Sequence, residues 1–256
     1  MAAFWRKYAC VAVFLGVWEL LSRTHALNPV FFPPFTEVLG TVWRMTLQGV
    51  MLTHVKWSLL RALSGFLAAA AVGVPLGLLL GTWFRGLRKT LDIPFEVLSQ
   101  LNPFLLFHII ILFLGIDEAP KIAIVAWTCL WPIVFSSMNA AAGVNPVLVK
   151  AGRAFGLGRL GLLARIVAPA SSPLIFAGLR LSLGYSMFML IAAEMMGASR
   201  GLGWLAINSQ ETFQLNRMYA SVVVIAFLGL ALDGGIWLAG RRLLPLSREG
   251  FLNSAD

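Results

Sequence analysis

Few residues in this chain could do covalent chemistry. Its three histidines, His25, His54 and His108, are scattered, and no HExxH or GxxxxGKS/T pattern occurs. No nucleophile with a base, no metal set and no phosphate-cradling loop is therefore assembled. Catalytic and metal-binding residues are expected to be none, and a membrane-embedded enzyme is set aside. What stands out instead is polar chemistry in apolar surroundings. Gln100, Asn102, Pro103 and His108 interrupt one apolar stretch, and Arg180 and Glu194 lie in another. Amide and imidazole groups can hydrogen-bond a polar solute, and a charge at membrane depth is expensive and seldom faces lipid. These six residues are the candidate lining of a solute path, with helix–helix contacts as the structural alternative for each. Arg180 and Glu194 share a helix face but stand about 21 Å apart at 1.5 Å per residue, so they cannot pair. Glu194 can also cap the following turn, and Asp233 is expected to meet Arg241 or Arg242.

The composition says where such residues must sit. Of 256 residues, 59% are hydrophobic and 12% charged, and the mean hydropathy is +0.83. A soluble domain carries about 25% charged residues, and a disordered chain is poor in large apolar side chains, whereas 18 Phe and 9 Trp occur here. The chain reads as a bilayer protein with no room for a large soluble domain. Its net charge of +9 reflects the Lys and Arg that collect in cytoplasmic loops, and no nucleic-acid partner is expected. Cys10 and Cys129 lie in apolar runs and behave as small core residues.

At about 20 residues per span, the pattern predicts an all-α, polytopic membrane protein of about six transmembrane helices in a single domain, 1–256. The spans fall near 8–22, 57–84, 96–116, 122–142, 172–196 and 218–239. The first is short and follows Arg6 and Lys7. Thr24-His25-Ala26 is a poor cleavage site, so it is expected to be a retained anchor rather than a signal peptide. Thr36 is expected to cap a short surface helix from Glu37 to Val50. Ala62 to Phe84 is uncharged and carries Gly73, Gly77 and Gly81 at four-residue intervals, a ridge that lets another helix approach closely. A loop from Arg85 to Lys89 is expected to follow. With both termini inside, inner segments hold twelve Lys and Arg and outer segments six, which supports cytoplasmic termini. Trp204 to Thr212 is expected to form a short helix in the outer loop.

Between the fourth and fifth spans lies a cytoplasmic loop, 145–171. Pro146 opens it, Gly156 and Gly158 break it and Pro169 ends it, so two short helices are predicted, Val147 to Phe155 and Arg159 to Val167. Phe155, Leu157, Leu160, Leu163 and Ile166 are apolar, beside Lys150, Arg153, Arg159 and Arg165. Exposed apolar residues among cations mark a surface that docks a peripheral protein.

Within that loop, Lys150-Ala151-Gly152-x3-Gly156-x9-Ile166-x-Ala168-Pro169 resembles the EAA loop of the membrane subunits of bacterial ABC importers, Glu-Ala-Ala-x3-Gly-x9-Ile-x-Leu-Pro, with the full spacing. Phe32-Pro33-Pro34-x2-Glu37-Val38-Leu39, Gly73-x-Pro75-x-Gly77, Phe113-x-Gly115-x2-Glu118-x2-Lys121, Gly178-x-Arg180 with Ala193-Glu194, and Gly201-x-Gly203 are similar to nitrate/sulfonate/taurine-type permeases. Together these motifs cover roughly residues 30–245. The resemblance implies the type I ABC importer permease fold, a bacterial inner-membrane location and transport of a small solute by alternating access. It makes the loop the coupling element, with Lys150, Ala151, Gly152, Phe155, Gly156, Leu157, Gly158, Ile166 and Pro169 as its contact residues. It also implies the partners. These are two copies of an ABC ATPase that binds the ATP and magnesium, a second permease subunit (the same chain or another), and an extracytoplasmic substrate-binding protein. No cofactor is expected in this chain.

The departures from the family pattern matter. Lys150 stands where the family has Glu, Gly152 replaces Ala and Ala168 replaces Leu, so the ATPase is expected to carry acidic character opposite Lys150. In the third span the family's Arg-Pro-x-Pro-Pro is replaced by Ser99-Gln100-Leu101-Asn102-Pro103, with His108 for a later Pro. An apolar path with few charges favours a small organic solute over a bare inorganic anion. An uncoupled channel or a structural assembly subunit is the alternative reading, and the two-helix docking loop argues against both.

Overall fold

The computed structural model describes residues 2–24, 28 and 31–243, without the side chains of residues 2–8, 85 and 243. His25 and Ala26 of the weighed cleavage site, and Arg248 of the cation count, lie outside the described residues. Among the described residues every regular element is a helix: α1 (Ala2–Arg23), α2 (Phe35–Leu47), α3 (Val50–Thr82), α4 (Arg85–Ser99), α5 (Pro103–Leu114), α6 (Glu118–Ala142), α7 (Pro146–Ala154), α8 (Arg159–Leu162), a π turn (Leu163–Val167), α9 (Ala168–Gly197), α10 (Leu202–Glu211) and α11 (Leu215–Leu243). Two compact units result. One takes the residues up to Ser58 together with Glu194–Leu228, and the other takes Leu59–Ala193 together with the residues from Gly229 on.

Among the described residues four helical stretches are long and apolar enough to cross a bilayer: α3, α6, Arg159–Gly197 and α11. A fifth is reached if α4 and α5 are counted as one span bent by 87°. The expected third span, 96–116, is therefore broken. Asn102 caps α5 by accepting the Phe104 N–H at 2.9 Å, and Pro103 occupies its first turn, where the missing proline N–H is no loss. The residues from Arg85 to Lys89 open α4 instead of forming a loop. α1 is helical but is not one of the four, since its uncharged run between Lys7 and Glu19 is short.

In the first unit, α1 is tied to the segment before α2. Trp18 Nε1 donates to Pro33 O at 3.0 Å and Ser22 Oγ to Phe32 O at 2.6 Å. Thr36 is not the N-cap, a position held by Pro34. Its hydroxyl and amide instead donate to the Glu19 carboxylate at 2.9 and 3.1 Å, whereas a capping hydroxyl would accept a backbone N–H.

In the second unit α3, α5 and α9 pack against α6. The predicted ridge extends beyond three glycines: Gly65, Ala69, Gly73, Gly77 and Gly81 line one face of α3, and Ala69 is buried. A Cβ at Gly77 would stand 2.7 Å from Val134 O and 2.9 Å from Met138 N, and one at Gly81 would stand 2.5 Å from Met138 O. The obstacles are backbone atoms and the Cβ atoms of Ser137 and Ala141, which cannot swing aside, so the two helices touch almost main chain to main chain. On α9, Gly178 sits against Ser136 of α6. Ser182 Oγ donates to Cys129 O at 3.2 Å while Cys129 Sγ lies 3.3 Å from Ser182 O. Phe107 of α5 closes a cluster with Ile124, Met189 and Ala193.

Because no side chain can yield at Gly77, Gly77→Val is expected to destabilise the protein by about 1–3 kcal/mol or more through overpacking. Gly86→Ala, which meets nothing within 4 Å, is expected to be neutral. Thermal melting of the detergent-solubilised protein decides, and equal melting of both variants would contradict the close approach.

Candidate functional site

The docking loop is built by local signals. Asn145 accepts the Val147 N–H at 2.9 Å and Pro146 takes the first turn of α7, a strong helix start. Gly156, at φ +77°, ends that helix, with its N–H on Arg153 O at 2.9 Å and the Leu157 N–H on Gly152 O at 3.1 Å. The second helix, predicted to end at Val167, does not stop ahead of Pro169. It runs through the π turn into α9, giving one helical stretch, Arg159–Gly197. In the π turn Ala168 N–H reaches five residues back to Leu163 O, which widens the helix just ahead of Pro169, whose ring would clash with an ordinary fourth-residue carbonyl.

α7 folds onto this turn at Gly152, where a Cβ would stand 2.3 Å from Ile166 Cδ1 and 2.7 Å from Leu162 Cδ2. Gly152 and Ile166 thus make one contact, and side-chain tips fill the space where the family carries Ala. Leu162 and Val167 are buried, with Val167 packed against Leu78, Ala140, Ala141 and Ile175. The opposite side is open: Phe155 is 87% exposed and Leu160 74%. Lys150, Ala151, Gly156, Gly158 and Pro169 are also exposed, and Leu157 is half-buried. Lys150 and Arg153 border a cavity of about 310 Å³ with Trp83, Val144, Val149 and Leu163. No Asp or Glu occurs between Glu118 and Glu194, so the loop's cations meet no carboxylate from their own segment.

The α4–α5 break borders a second cavity, of about 400 Å³. Gln100 and Pro103 of the expected path line it together with Trp127, Trp131, Phe135 and Tyr185. The rings of Trp127 and Trp131 stack edge to face at 5.1 Å, and Phe95 meets Trp131 at 5.7 Å. Trp127, Trp131 and Phe135 recur every four residues along α6, a signal present in the sequence that marks one helix face. Asn102 is occupied as a cap, and His108 Nδ1 lies 2.8 Å from Phe104 O on its own helix.

The intramembrane charges are held in place by partners. Asp233 does not meet Arg241 or Arg242. Arg180 Nε and Nη2 donate to its two carboxylate oxygens at 2.6 Å each, a bidentate pair, while Arg241 stacks on Trp237 at 3.8 Å. Arg61, only 2% exposed, donates through Nε and Nη2 to Glu118, and Lys121 lies 3.5 Å from the same carboxylate.

Glu194 is fully buried. Ser58 Oγ donates to its carboxylate at 2.8 Å and accepts the Leu202 N–H at 2.9 Å, while Gly203 N–H donates to Glu194 at 3.0 Å. Gly201 N–H donates to His54 Nδ1 at 3.0 Å, and the His54 ring stacks on Trp204. These contacts satisfy the orphan amides at the start of α10. Gly201 sits at φ +128°, and any Cβ there would strike the carboxylate at 2.3 Å. Ser58, His54 and Arg61 escape sequence reading because their partners are distant in the chain, and Glu118 shows there only as part of a family motif.

A family profile for the inner membrane component of binding-protein-dependent transport systems matches residues 73–243. The chain belongs to this family. A probable ABC transporter permease protein of Brucella melitensis is 33% identical over 91% of this chain and 93% of that protein. The taurine transport system permease protein TauC of Escherichia coli K12 is 28% identical over 93% and 88%, and the nitrate import permease protein NrtB of Synechococcus elongatus 27% over 93% and 89%. Among solved structures, the inward-facing MetNI methionine ABC transporter shares the fold with a TM-score of 0.66 at 18% identity, over 77% of this chain and 95% of that one. A chain of a bacterial alginate ABC transporter, solved with an alginate pentasaccharide-bound periplasmic protein, gives 0.60 at 16%, over 94% and 95%. The fold is the all-α type I ABC importer permease fold, and this permease is a transport subunit in that family's membrane.

Removing the Glu194 carboxylate would orphan the Gly203 N–H and the Ser58 hydroxyl. Glu194→Ala is therefore expected to cost about 1–3 kcal/mol for each unsatisfied group and to make the α10 amides exchange with deuterium ahead of those of α6. Unchanged protection of α10 would rule this lock out.

Proposed function

We propose that this permease is one of two membrane subunits of an ATP-driven importer, oriented with both termini in the cytoplasm, and that residues 145–171 couple it to a separate ATPase. The observation that carries this reading is the loop itself. It offers exposed Phe155 and Leu160 beside four cations and no acid, on a chain that has no motif to bind ATP. Two ATPase copies bind ATP and magnesium and close on each other. The coupling loops are drawn together, and the membrane helices rock so that the path changes sides. With α1 crossing as well as α4–α5, the chain has six spans. Lys150, Ala151, Gly152, Phe155, Gly156, Leu157, Gly158, Ile166 and Pro169 form the coupling surface, and the cavity beside Gln100 and Pro103 is the first candidate for the path. The aromatic lining there and the pairing of Arg61 and Arg180 with carboxylates support a small organic solute. The names of the relatives make taurine and aliphatic sulfonates the first to assay.

Proteoliposomes holding this chain and its ATPase are expected to take up solute only with ATP inside and binding protein outside. Uptake without ATP would favour the uncoupled channel. At the coupling surface, Lys150→Glu is expected to lower co-purification of the ATPase by about tenfold, equivalent to ~1.4 kcal/mol, because it sets two carboxylates against each other. Equal or better recovery would show that the ATPase groove is not acidic at this contact.

A further inference from the structure

α2 and α7 each give way to a glycine of positive φ, Gly49 at +75° and Gly156 at +77°. At α7 this is a Schellman end, with the two backbone bonds from Gly156 and Leu157 described above. α10 ends in the same motif: Phe213 N–H donates to Gln210 O at 3.1 Å and Gln214 N–H to Ser209 O at 2.8 Å. The residue at the left-handed position is now Phe213, at φ +54°, which is the one non-glycine residue of positive φ among the described residues. Glycine occupies such positions because it has no Cβ to clash with the backbone, and a side chain with a Cβ is disfavoured there. The phenyl ring recovers nothing from packing, since Phe213 is 82% exposed. A large apolar side chain is thus held out from the protein at a position where glycine would serve the helix better.

Its surroundings are mainly polar. Phe213 lies on the border of a cavity of about 490 Å³ lined by Glu37, Thr41, Arg44 and Arg217, with Met45 and Leu215 as its apolar members. A lipid-facing turn would carry apolar neighbours, whereas one aromatic residue ringed by polar and charged groups is the pattern of a protein-binding hot spot inside its rim. The family is binding-protein-dependent by description, and a solved relative in fold carries its periplasmic protein.

We infer that Phe213 is the anchor by which this permease grips its extracytoplasmic binding protein, with the ring seated in an apolar pocket of that protein and Glu37, Arg44 and Arg217 meeting its polar rim. The inference rests on the outward placement of the α10–α11 turn that follows from the orientation proposed above. The test uses the permease–ATPase complex in nanodiscs with the purified cognate binding protein. Phe213→Gly relieves the backbone, so its melting temperature is expected to equal or exceed that of the parent, while affinity for the binding protein falls at least tenfold and Phe213→Tyr stays within twofold. Affinity of Phe213→Gly within twofold of the parent overturns the anchor, and so does a lowered melting temperature with unchanged affinity, which would make the ring structural. Quenching of Phe213→Trp fluorescence by brominated lipid beyond that of the parent, with affinity for the binding protein unchanged, would assign the side chain to the bilayer instead. A Phe213→Cys variant labelled by a membrane-impermeant maleimide in intact spheroplasts supports the orientation. Labelling only in everted vesicles overturns that orientation, and the anchor with it.

Discussion

The close approach of α3 to α6 is the constraint on which the second unit depends. Between apolar helices in lipid there is little hydrophobic drive to associate, so packing and hydrogen bonds must hold them. Packing is strongest when backbones touch. The ridge from Gly65 to Gly81 permits this, with the Cβ positions of Gly77 and Gly81 already within 3 Å of α6 main-chain atoms. The same economy of side chain at Gly178 brings α9 against the other side of α6. Three helices thus pack through positions that tolerate no added carbon, and the polar pairs between them, Arg61 with Glu118 and Ser182 with Cys129, set their register.

The docking loop inherits its geometry from this packing. Its inner side chains, Leu162 and Val167, are buried, and Val167 packs against Leu78 and Ile175, so the loop is seated on the ends of the packed helices and does not dangle from them. Its second helix is continuous with α9 through the π turn. A displacement of the loop therefore cannot be absorbed by a hinge at Pro169 and must move the helix that follows. That continuity suits the coupling role proposed for this surface.

Charge is handled differently inside and outside the spans. Arg61 and Arg180 are each matched by a carboxylate and Glu194 by donors from Ser58 and Gly203, because an unmatched charge at that depth is costly. The loop's cations have no such partners in their own segment, and the cavity at the α4–α5 break is lined by rings and neutral polar groups. The interior is thus neutralised locally, while the loop's cations meet no carboxylate from their own segment.

How much was legible follows from the range of each signal. The four long spans, the loop with Asn145-Pro146 and Gly156, the helix at Trp204 and the interruption at Asn102-Pro103 depend on residues within a turn or two of each other, and hydropathy, capping and proline chemistry report those directly. Family membership was legible for the same reason, since its motifs are short and their spacing survives in one chain. The tertiary structure alone decided which partner each polar group takes. Arg180 chose Asp233, 53 residues away, Thr36 chose Glu19 over its own helix, and the glycine ridge chose α6 of the same chain. Such choices depend on helices meeting in space at distances that no local pattern encodes. The continuation through Pro169 depended likewise on a π turn that packing against α7 supports, so the sequence determined the elements and their chemistry while packing determined the pairings.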